Sequence, residues 1–214
     1  MKIGLSGIPG SGKTDLAFAL KEVLKDEYES IEIIDDYVSD IEKESNLALS
    51  FTAAYVGNLN VALGRAAREC HAYENDDFVI TCGTLFETSS YVAQSFEKDF
   101  KFITTDEDKY DFANRLEATM RILACFYLDL VKYDHVFHLL PILDFADDDY
   151  KNLDKNLQAA FEAFKLYEHH ILEPEGSNPE EIAKNRVEKV LEVIRANNTE
   201  KQDVQVEKSD GSGV

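Results

Sequence analysis

Short apolar runs and longer amphipathic stretches alternate along the chain, and this pattern predicts strands followed by helices. The strand candidates are short and mostly apolar, as buried parallel strands are: Lys2–Ser6, Ile31–Ile34, Phe78–Cys82, 135–140 and the shorter 171–172. The helix candidates have apolar residues at helical spacing: 16–24, 46–73, 85–96, 110–132, 157–169 and 179–195. Strands that alternate with helices predict an α/β domain whose parallel sheet has helices on both faces.

The polar segments predict one domain with one loop and one tail. The 214 residues, 44% of them apolar, suffice for a single hydrophobic core. Residues 144–154 are acidic and predict a loop, whereas residues 197–214 are polar and predict a disordered tail, which leaves a domain over residues 1–196.

No apolar run reaches the roughly 18 residues of a membrane span, and no signal segment precedes the first strand. The sequence therefore predicts a cytoplasmic protein.

Acidic residues outnumber basic residues by 42 to 22, which gives a formal net charge of -20. This charge repels a nucleic-acid backbone, so DNA binding is disfavoured unless a basic groove overrides it. The cysteines Cys70, Cys82 and Cys125 have neither disulfide nor zinc spacing and are expected to be reduced. The five histidines have no recognisable ligand spacing, and the sequence assigns none of them to a metal.

The turn after the first strand carries a phosphate-binding pattern. The residues that match the Walker A pattern, between a predicted strand and a predicted helix, are Gly7, Ile8, Pro9, Gly10, Ser11, Gly12, Lys13 and Thr14. Such glycines let backbone N–H groups face the phosphates of ATP, while Lys13 reaches the β- and γ-phosphates and Thr14 binds Mg²⁺. The sequence contains no Asn-Lys-x-Asp, the guanine-reading pattern, and this excludes the GTPase class.

Two acidic residues follow the second predicted strand. Asp35 and Asp36 are expected at the carboxyl edge of the sheet, close to the γ-phosphate. A carboxylate there accepts the proton of an attacking hydroxyl, which makes both residues catalytic candidates, and Asp36 is also assigned to the Mg²⁺ shell. The structural alternative is a turn that caps the strand.

Three further side chains are candidates for binding the acceptor. Arg65 and Arg68 precede the third strand on a predicted helix, where guanidinium groups can bind a phosphate or a base. Glu87, just past Gly83-Thr84, is placed to orient a base or a ribose. The alternatives are solvated surface arginines and an acidic residue that favours a helix start.

With these residues in place, the chain resembles the nucleoside and nucleotide kinases of the P-loop superfamily. Asp35-Asp36-Tyr37 is similar to the Asp-Asp-aromatic element of nicotinamide riboside kinases and polynucleotide kinases. The later layout, in which Phe78–Cys82 and Gly83-Thr84 are followed by a helix with Ser90-Tyr91-Val92-Ala93, resembles thymidylate kinases. It also resembles the kinase domain of bacterial regulators of NAD metabolism, and the phage kinases of 5-hydroxymethyluracil in DNA look similar.

The resemblance implies an adenylate-kinase-like P-loop NTPase fold, in which residues 144–154 form a lid over ATP. It assigns Lys151, within the lid, to catalysis, with Lys155 as the alternative cation. The chain departs from the family after the third strand, where these kinases usually carry Asp-Arg and this chain has Cys82-Gly83. Loss of that arginine favours a hydroxyl acceptor over a monophosphate.

The expected function is transfer of the γ-phosphate of ATP, with Mg²⁺, to a nucleoside or deoxynucleotide acceptor, as in thymidylate kinases. Two alternatives stay open: a kinase of 5-hydroxymethyluracil in phage DNA, and an ATPase or switch protein that transfers phosphate only to water. The expected partner is the nucleoside or nucleotide acceptor; DNA is disfavoured by the charge, a membrane is excluded and a homodimer is left open. A compact, solitary kinase domain would suit a virus, and the location would then be the host cytoplasm.

Overall fold

Five parallel strands form one sheet in the order β2-β3-β1-β4-β5. The computed structural model describes residues 1–35, 55–84, 87, 105–111, 114, 118, 133–142, 154–155, 157–158 and 168–210, and for 55–62 and 197–210 the backbone alone. The strands are β1 Lys2–Ser6, β2 Ile31–Ile34, β3 Phe78–Cys82, β4 His135–Leu139 and β5 Glu168–Leu172. The helices with defined bounds in this part of the chain are α1 Lys13–Leu24, α2 Tyr55–Asn75 and α3 Pro179–Asp210.

Helices cover the sheet on both faces, as the alternation of elements predicts. Successive side chains of a strand point to opposite faces, so Ile3 and Leu5 of β1 and Phe137 of β4 share one face. This face packs against buried residues of two helices: Leu16, Ala17, Leu20 and Leu24 of α1, and Val190, Leu191 and Ile194 of α3. On the other face, Ile34 and Val79 pack with Ala72 of α2. Burial of these side chains is the main stabilising contribution to the sheet.

Strands β1, β2 and β3, the end of helix α1 and the start of helix α3 have the predicted bounds, whereas α1 begins at Lys13, three residues before the predicted start. Strand β4 ends at Leu139, one residue before the predicted end. Helix α2 ends at Asn75, two residues beyond the prediction, and of its predicted start only the part from Tyr55 lies among the described residues. Residues 106–111 are helical, although the sequence placed the start of that helix at 110.

Two predicted bounds near the end of the chain are wrong. Glu168 and His169 were assigned to a helix over 157–169, but they begin β5, because parallel pairing with β4 outweighs the local helical spacing. Helix α3 continues to Asp210 instead of ending near Arg195, and the backbone of residues 197–210, expected to be disordered, is helical. The chain has no proline or glycine between Pro179 and Gly211 to end the helix. The predicted boundary of the domain at residue 196 stays a prediction.

Candidate active site

The glycines of the phosphate-binding loop, residues 7–14, hold its backbone in a turn that other residues would strain. Gly7, Gly10 and Gly12 have φ values of 145°, 80° and 90°, in the region that favours glycine. A Cβ atom on Gly7 would lie 2.6 Å from the carbonyl oxygen of Leu139, at the end of β4. The loop therefore packs closely against the neighbouring strand, and the first glycine is required for that approach.

The loop ends at the start of α1, where backbone donors and one hydroxyl are available for an anion. Gly12 caps α1 with a left-handed backbone and no side-chain hydrogen bond, so the first N–H groups of the helix have no capping acceptor. The buried hydroxyl of Ser11 has no hydrogen-bond partner among the described residues. A helix start with a glycine-rich turn is the standard cradle for phosphate, and the donor set fits the phosphates of ATP.

Lys13 is held at the loop by three oxygen acceptors. Its ammonium group donates to the carbonyl oxygens of Gly7 and Ile8, the latter at 3.2 Å, and it pairs with the carboxylate of Glu87 at 3.2 Å. The Lys13 and Glu87 side chains are 14% and 5% exposed, so this ion pair is shielded from water. A phosphate that entered the loop would have to compete with these acceptors for Lys13.

The next residue joins the loop to β2. The hydroxyl of Thr14 donates a hydrogen bond to Oδ1 of Asp35 at 2.9 Å. A hydroxyl that gives its proton to a carboxylate keeps its lone pairs for a cation, and oxygen atoms are the ligands that Mg²⁺ prefers. Thr14 and Asp35 therefore offer oxygen ligands for Mg²⁺, whereas the sequence assigned Asp36, which lies outside the described residues, to that site together with Thr14.

The charges of four of the predicted residues act on the buried thiol of Cys82, at the end of β3. Burial raises the pKa of Cys82 to about 12, and the charge of Asp35 adds to the rise. The charges of Lys13 and Arg65 oppose it, while that of Glu87 reinforces it. Because such effects act over short distances, the candidates from the loop, β2, α2 and the segment after β3 converge on one place.

Arg65 of α2 lies beside Gly83, the position at which the kinases named above usually carry arginine. A Cβ atom on Gly83 would lie 2.7 Å from NH1 of Arg65, and Gly83 itself has a φ of 78°. Arg65 as a whole is 3% exposed. Glycine at this position thus makes room for an arginine that comes from a neighbouring helix.

Arg68 lies elsewhere, although it is one turn further along the same helix. It is exposed and lines a groove of about 560 Å³ beside β2, together with Glu32, His71 and Asp76. The structure therefore separates Arg68 from Arg65, which the sequence had grouped with it as acceptor-binding residues.

Arg186 contributes to the site without any signal in the sequence. This residue of α3 is 2% exposed and donates hydrogen bonds to the carbonyl oxygens of Ser11 at 2.7 Å, Leu140 at 2.5 Å and Leu172 at 3.4 Å. It thereby ties the phosphate-binding loop to the ends of β4 and β5. An arginine on an amphipathic helix looks like a surface residue in a sequence, since only the packing of α3 shows what its side chain reaches.

A buried acidic residue behind the site was also missed. Glu69 of α2 is 0% exposed and accepts hydrogen bonds from the hydroxyls of Tyr133 at 2.8 Å and Tyr73 at 3.1 Å. Burial raises its pKa to about 7, although the nearby charge of Arg65 and the two tyrosine hydrogen bonds lower it. Glu69 follows Arg65 by four residues, about one helical turn. This spacing is the only sign in the sequence that the two side chains lie close together.

Two predicted catalytic residues, Asp36 and Lys151, lie outside the described residues, as do positions 144–153 of the predicted lid. Asp154 is described, and its carboxylate lies 3.0 Å from Nε2 of His138 on β4. Among the described residues, no helix combines the length and the apolar composition that crossing a membrane requires.

A parallel sheet of this order, with a phosphate-binding loop after its central strand and acidic residues at its carboxyl edge, defines an α/β protein of the P-loop NTPase class. Solved nucleoside and nucleotide kinases share the architecture. A thymidylate kinase from Ehrlichia chaffeensis superposes with a TM-score of 0.53 at 19% identity, over 92% of this chain and 97% of that one. Deoxyadenosine kinase from M. mycoides with bound dATP gives a TM-score of 0.58 at 13% identity, over 91% and 100% of the two chains.

A NadR protein in complex with NR gives a TM-score of 0.59 at 16% identity, over 89% of this chain and 50% of that one. Neither a protein-family model nor a curated protein sequence matches the chain. The likeness establishes the fold, which is that of the P-loop nucleoside kinases, and it confirms the predicted fold class.

Proposed function

We propose that the protein is a MgATP-dependent kinase that transfers the γ-phosphate to a nucleoside or deoxynucleotide acceptor. The observation that carries the proposal is the 2.9 Å hydrogen bond between Thr14 and Asp35. It places a carboxylate from the end of β2 beside the hydroxyl that binds Mg²⁺ in P-loop proteins. The neighbours in fold, which include a thymidylate kinase and a deoxyadenosine kinase, support the same class of reaction.

Bound MgATP would supply the phosphoryl group and the cation that neutralises its charge. For this chain, backbone N–H groups of residues 7–14 other than Pro9 bind the phosphates, and Lys13 exchanges loop carbonyls and Glu87 for phosphate oxygens. Arg186 holds the loop in shape through the carbonyl oxygen of Ser11. The proposed lid residue, Lys151, adds a further cation.

The acceptor binds over the ends of β2 and β3. Its hydroxyl oxygen attacks the γ-phosphorus, the bond from that phosphorus to the bridging oxygen of the diphosphate breaks, and the hydroxyl proton passes to Asp35 or Asp36. The contact with Thr14 favours a second role for Asp35, in the shell of Mg²⁺, alongside the sequence-based assignment of Asp36 to that shell.

Arg65 and Glu87 are proposed to bind the acceptor. Arg65 lies against Gly83 at the end of β3, where its buried guanidinium can meet a phosphate or a base edge. Glu87 is released from Lys13 when the latter moves to phosphate, and its carboxylate can then accept a hydrogen bond from a ribose or base. Arg68 is left out of this proposal, because it lies in the groove beside β2.

The test is transfer of labelled γ-phosphate from ATP to a panel of acceptors: nucleosides, deoxynucleoside monophosphates, nicotinamide riboside, and DNA with or without 5-hydroxymethyluracil. Asp35→Asn and Asp36→Asn are measured beside Asp15→Asn, a matched charge change at an exposed position in the first turn of α1. We expect label on one class of free acceptor, a loss of at least about 100-fold in one aspartate variant and no loss in Asp15→Asn.

The remaining outcomes decide between the alternatives. Partial recovery of Asp35→Asn at raised Mg²⁺ would assign that residue to the cation, whereas a changed pH profile without recovery would assign it to proton transfer. Label on DNA alone would favour the modified-base kinase. Label released only as free phosphate, with every acceptor, would contradict the kinase proposal in favour of an ATPase.

A further inference from the structure

A second cluster of polar side chains lies at the amino ends of the strands, whereas the phosphate-binding loop lies at their carboxyl ends. His135 is the first residue of β4, Glu168 is the first of β5, and His170 follows two positions later. Parallel register pairs His135 with Glu168, and it pairs Phe137 with His170. Because alternate residues of a strand share a face, the three side chains project from the same face of the sheet at the amino ends of β4 and β5.

Three potential ligand atoms meet there. Nδ1 of His135 lies 3.1 Å from Oε2 of Glu168 and 3.3 Å from Nε2 of His170, and the last two atoms are 4.0 Å apart. A triangle with these sides has one point about 2 Å from each corner, which is the distance at which zinc binds imidazole nitrogen and carboxylate oxygen. The cluster could thus receive such an ion with little movement.

The two histidines are held by packing, and the cluster is accessible. His135 is buried, and the ring of His170 stacks on that of Phe137 with centroids 5.0 Å apart and planes at 24°. The side chain of Glu168 is 69% exposed and that of His170 is 28% exposed, so one side of the cluster opens to solvent. An ion can enter from that side, and water can complete its coordination, as it does in zinc sites with three protein ligands.

We propose that His135, Glu168 and His170 form a binding site for a divalent transition metal ion of the zinc type. Two imidazole nitrogens and one carboxylate oxygen suit zinc, cobalt or iron, whereas Mg²⁺ prefers oxygen ligands alone. The ion would join β4 to the edge strand β5, and binding to the folded chain alone would stabilise it. This site is separate from the proposed kinase site, because the cluster lies at the amino ends of β4 and β5, whereas Thr14 and Asp35 lie at the carboxyl ends of the strands.

Sequence spacing could not reveal this site, since His135 and His170 are 35 residues apart. The other two histidines of these strands, His138 and His169, lie on the opposite face and approach each other with ring centroids 6.4 Å apart. The register of β4 against β5 brings His135 and His170 together beside Glu168, whereas His138 contacts Asp154 on the other face.

The experiment is equilibrium titration of the full chain with Zn²⁺ near neutral pH, in an excess of Mg²⁺ to occupy the Thr14 and Asp35 site. The same titration with Co²⁺ reports coordination through its visible absorption spectrum. We expect one ion per chain, a higher Tm when it is bound, and dissociation constants at least about tenfold weaker in Glu168→Gln and in His170→Ala. His71→Ala, an exposed histidine of α2, and Asp35→Asn should leave the constant unchanged.

Glu168→Gln is the decisive variant, because Glu168 is exposed and its replacement should leave the fold intact, so that weaker metal binding cannot be attributed to misfolding. The test therefore holds even if His170→Ala fails to fold. Absence of saturable binding, or an unchanged dissociation constant in Glu168→Gln, would overturn the metal site. A constant weakened in Asp35→Asn to the same extent would also overturn it, by assigning the bound ion to the kinase site.

Discussion

Gly83 occupies the position at which the kinases that the sequence resembles usually carry arginine. Its positive φ and the nearby guanidinium of Arg65 explain why no larger side chain occupies the position. The sequence alone suggested that a phosphate-binding arginine was missing after β3. In the structure an arginine is present at that place, but it comes from α2.

Replacement of Gly83 by alanine should damage this arrangement. Alanine with a φ of 78° is strained, and its Cβ atom would lie 2.7 Å from Arg65. We expect Gly83→Ala to lower the free energy of unfolding by about 1–3 kcal/mol, measured by urea denaturation, and to raise KM for the acceptor. If the contact with Arg65 is part of the cause, the double variant with Arg65→Met should lose less than the two single losses together. Strictly additive losses would contradict that role for the contact.

Arg65 and Arg68 offer a matched pair of variants on one helix. Arg65→Met removes the buried guanidinium beside Gly83, whereas Arg68→Met changes an exposed residue of the groove beside β2. We expect KM for the acceptor to rise at least about tenfold in Arg65→Met and to change less than about twofold in Arg68→Met. Equal effects in steady-state assays would mean that Arg65 does not bind the acceptor.

The buried carboxyl of Glu69 should make stability depend on pH. Its pKa in the folded chain, about 7, exceeds the ordinary value of 4.5, so its contribution is fully present below pH 4.5 and is lost as pH rises through 7. Glu69→Gln keeps a similar shape without this titration. Between about pH 5 and pH 8, the wild-type free energy of unfolding should fall relative to that of the variant, by an amount on the order of 3 kcal/mol.

Denaturation curves at both pH values measure this difference. Glu74→Gln, an exposed position on the same helix, is the matched control and should follow the wild type. Parallel pH dependence in the wild type and Glu69→Gln would mean that Glu69 has the same pKa in the folded and unfolded chain.

Helix α3 is the element that connects the end of the chain to the active site. Its apolar residues Val190, Leu191 and Ile194 pack against α1 and the sheet, and Arg195 pairs with Glu27 at 2.6 Å. This packing brings Arg186 to the carbonyl oxygens at the ends of three segments. The sequence predicted the start of this helix, but the face that it buries and the acceptors that Arg186 reaches are properties of the packed elements.

Removal of the Arg186 guanidinium should therefore weaken both the fold and ATP binding. Arg186→Met leaves the carbonyl oxygens of Ser11, Leu140 and Leu172 without this donor, which should lower the free energy of unfolding by about 1.5–3 kcal/mol. KM for ATP should rise, because the loop loses an anchor. Lys184→Met, whose side chain is 75% exposed, should change stability by less than about 0.5 kcal/mol. Equal thermal unfolding of both variants would contradict the role of Arg186.

The net charge of -20 acts on the folded chain as a single body. Several of the ion pairs in the described regions, such as Lys25 with Glu22 and Lys184 with Glu188, are exposed and join neighbouring turns of one helix, where they stabilise little. Repulsion among the excess carboxylates should then dominate the response to salt. The same excess of negative charge would repel a nucleic-acid backbone, so the small acceptor stays the proposal and DNA the alternative.

Salt should consequently stabilise the protein. We expect Tm to rise as NaCl increases from low concentration to about 0.5 M, by roughly 2–4 °C for each kcal/mol of repulsion that is screened. KCl should give the same rise, since screening does not depend on the identity of the cation. A lower Tm at high salt would mean that attractive ion pairs outweigh the repulsion.

The cytoplasmic and viral settings and the homodimer remain predictions.

The local pattern of residues was enough to predict strands β1 to β4, the α/β class and the phosphate-binding loop, whereas most of β5 was assigned to a helix. Buried strands are short apolar runs, and the loop works through glycines and one lysine that are contiguous in the chain, so both leave a local signature. The carboxyl edge of a parallel sheet is also a general property of the fold, which is why Asp35 and Asp36 could be expected near the γ-phosphate in advance, although the contact of Asp35 with Thr14 came from the structure.

Contacts between distant segments required the tertiary structure. Arg65 and Arg68 are alike in sequence, yet helix packing buries one against Gly83 and leaves the other in a groove. Arg186 reaches the phosphate-binding loop from 175 residues away, and strand register alone joins His135 to Glu168 and His170. The physical reason is the same in each case: a side chain's partners depend on which faces of the helices and strands pack together, and local spacing contains no information about that packing.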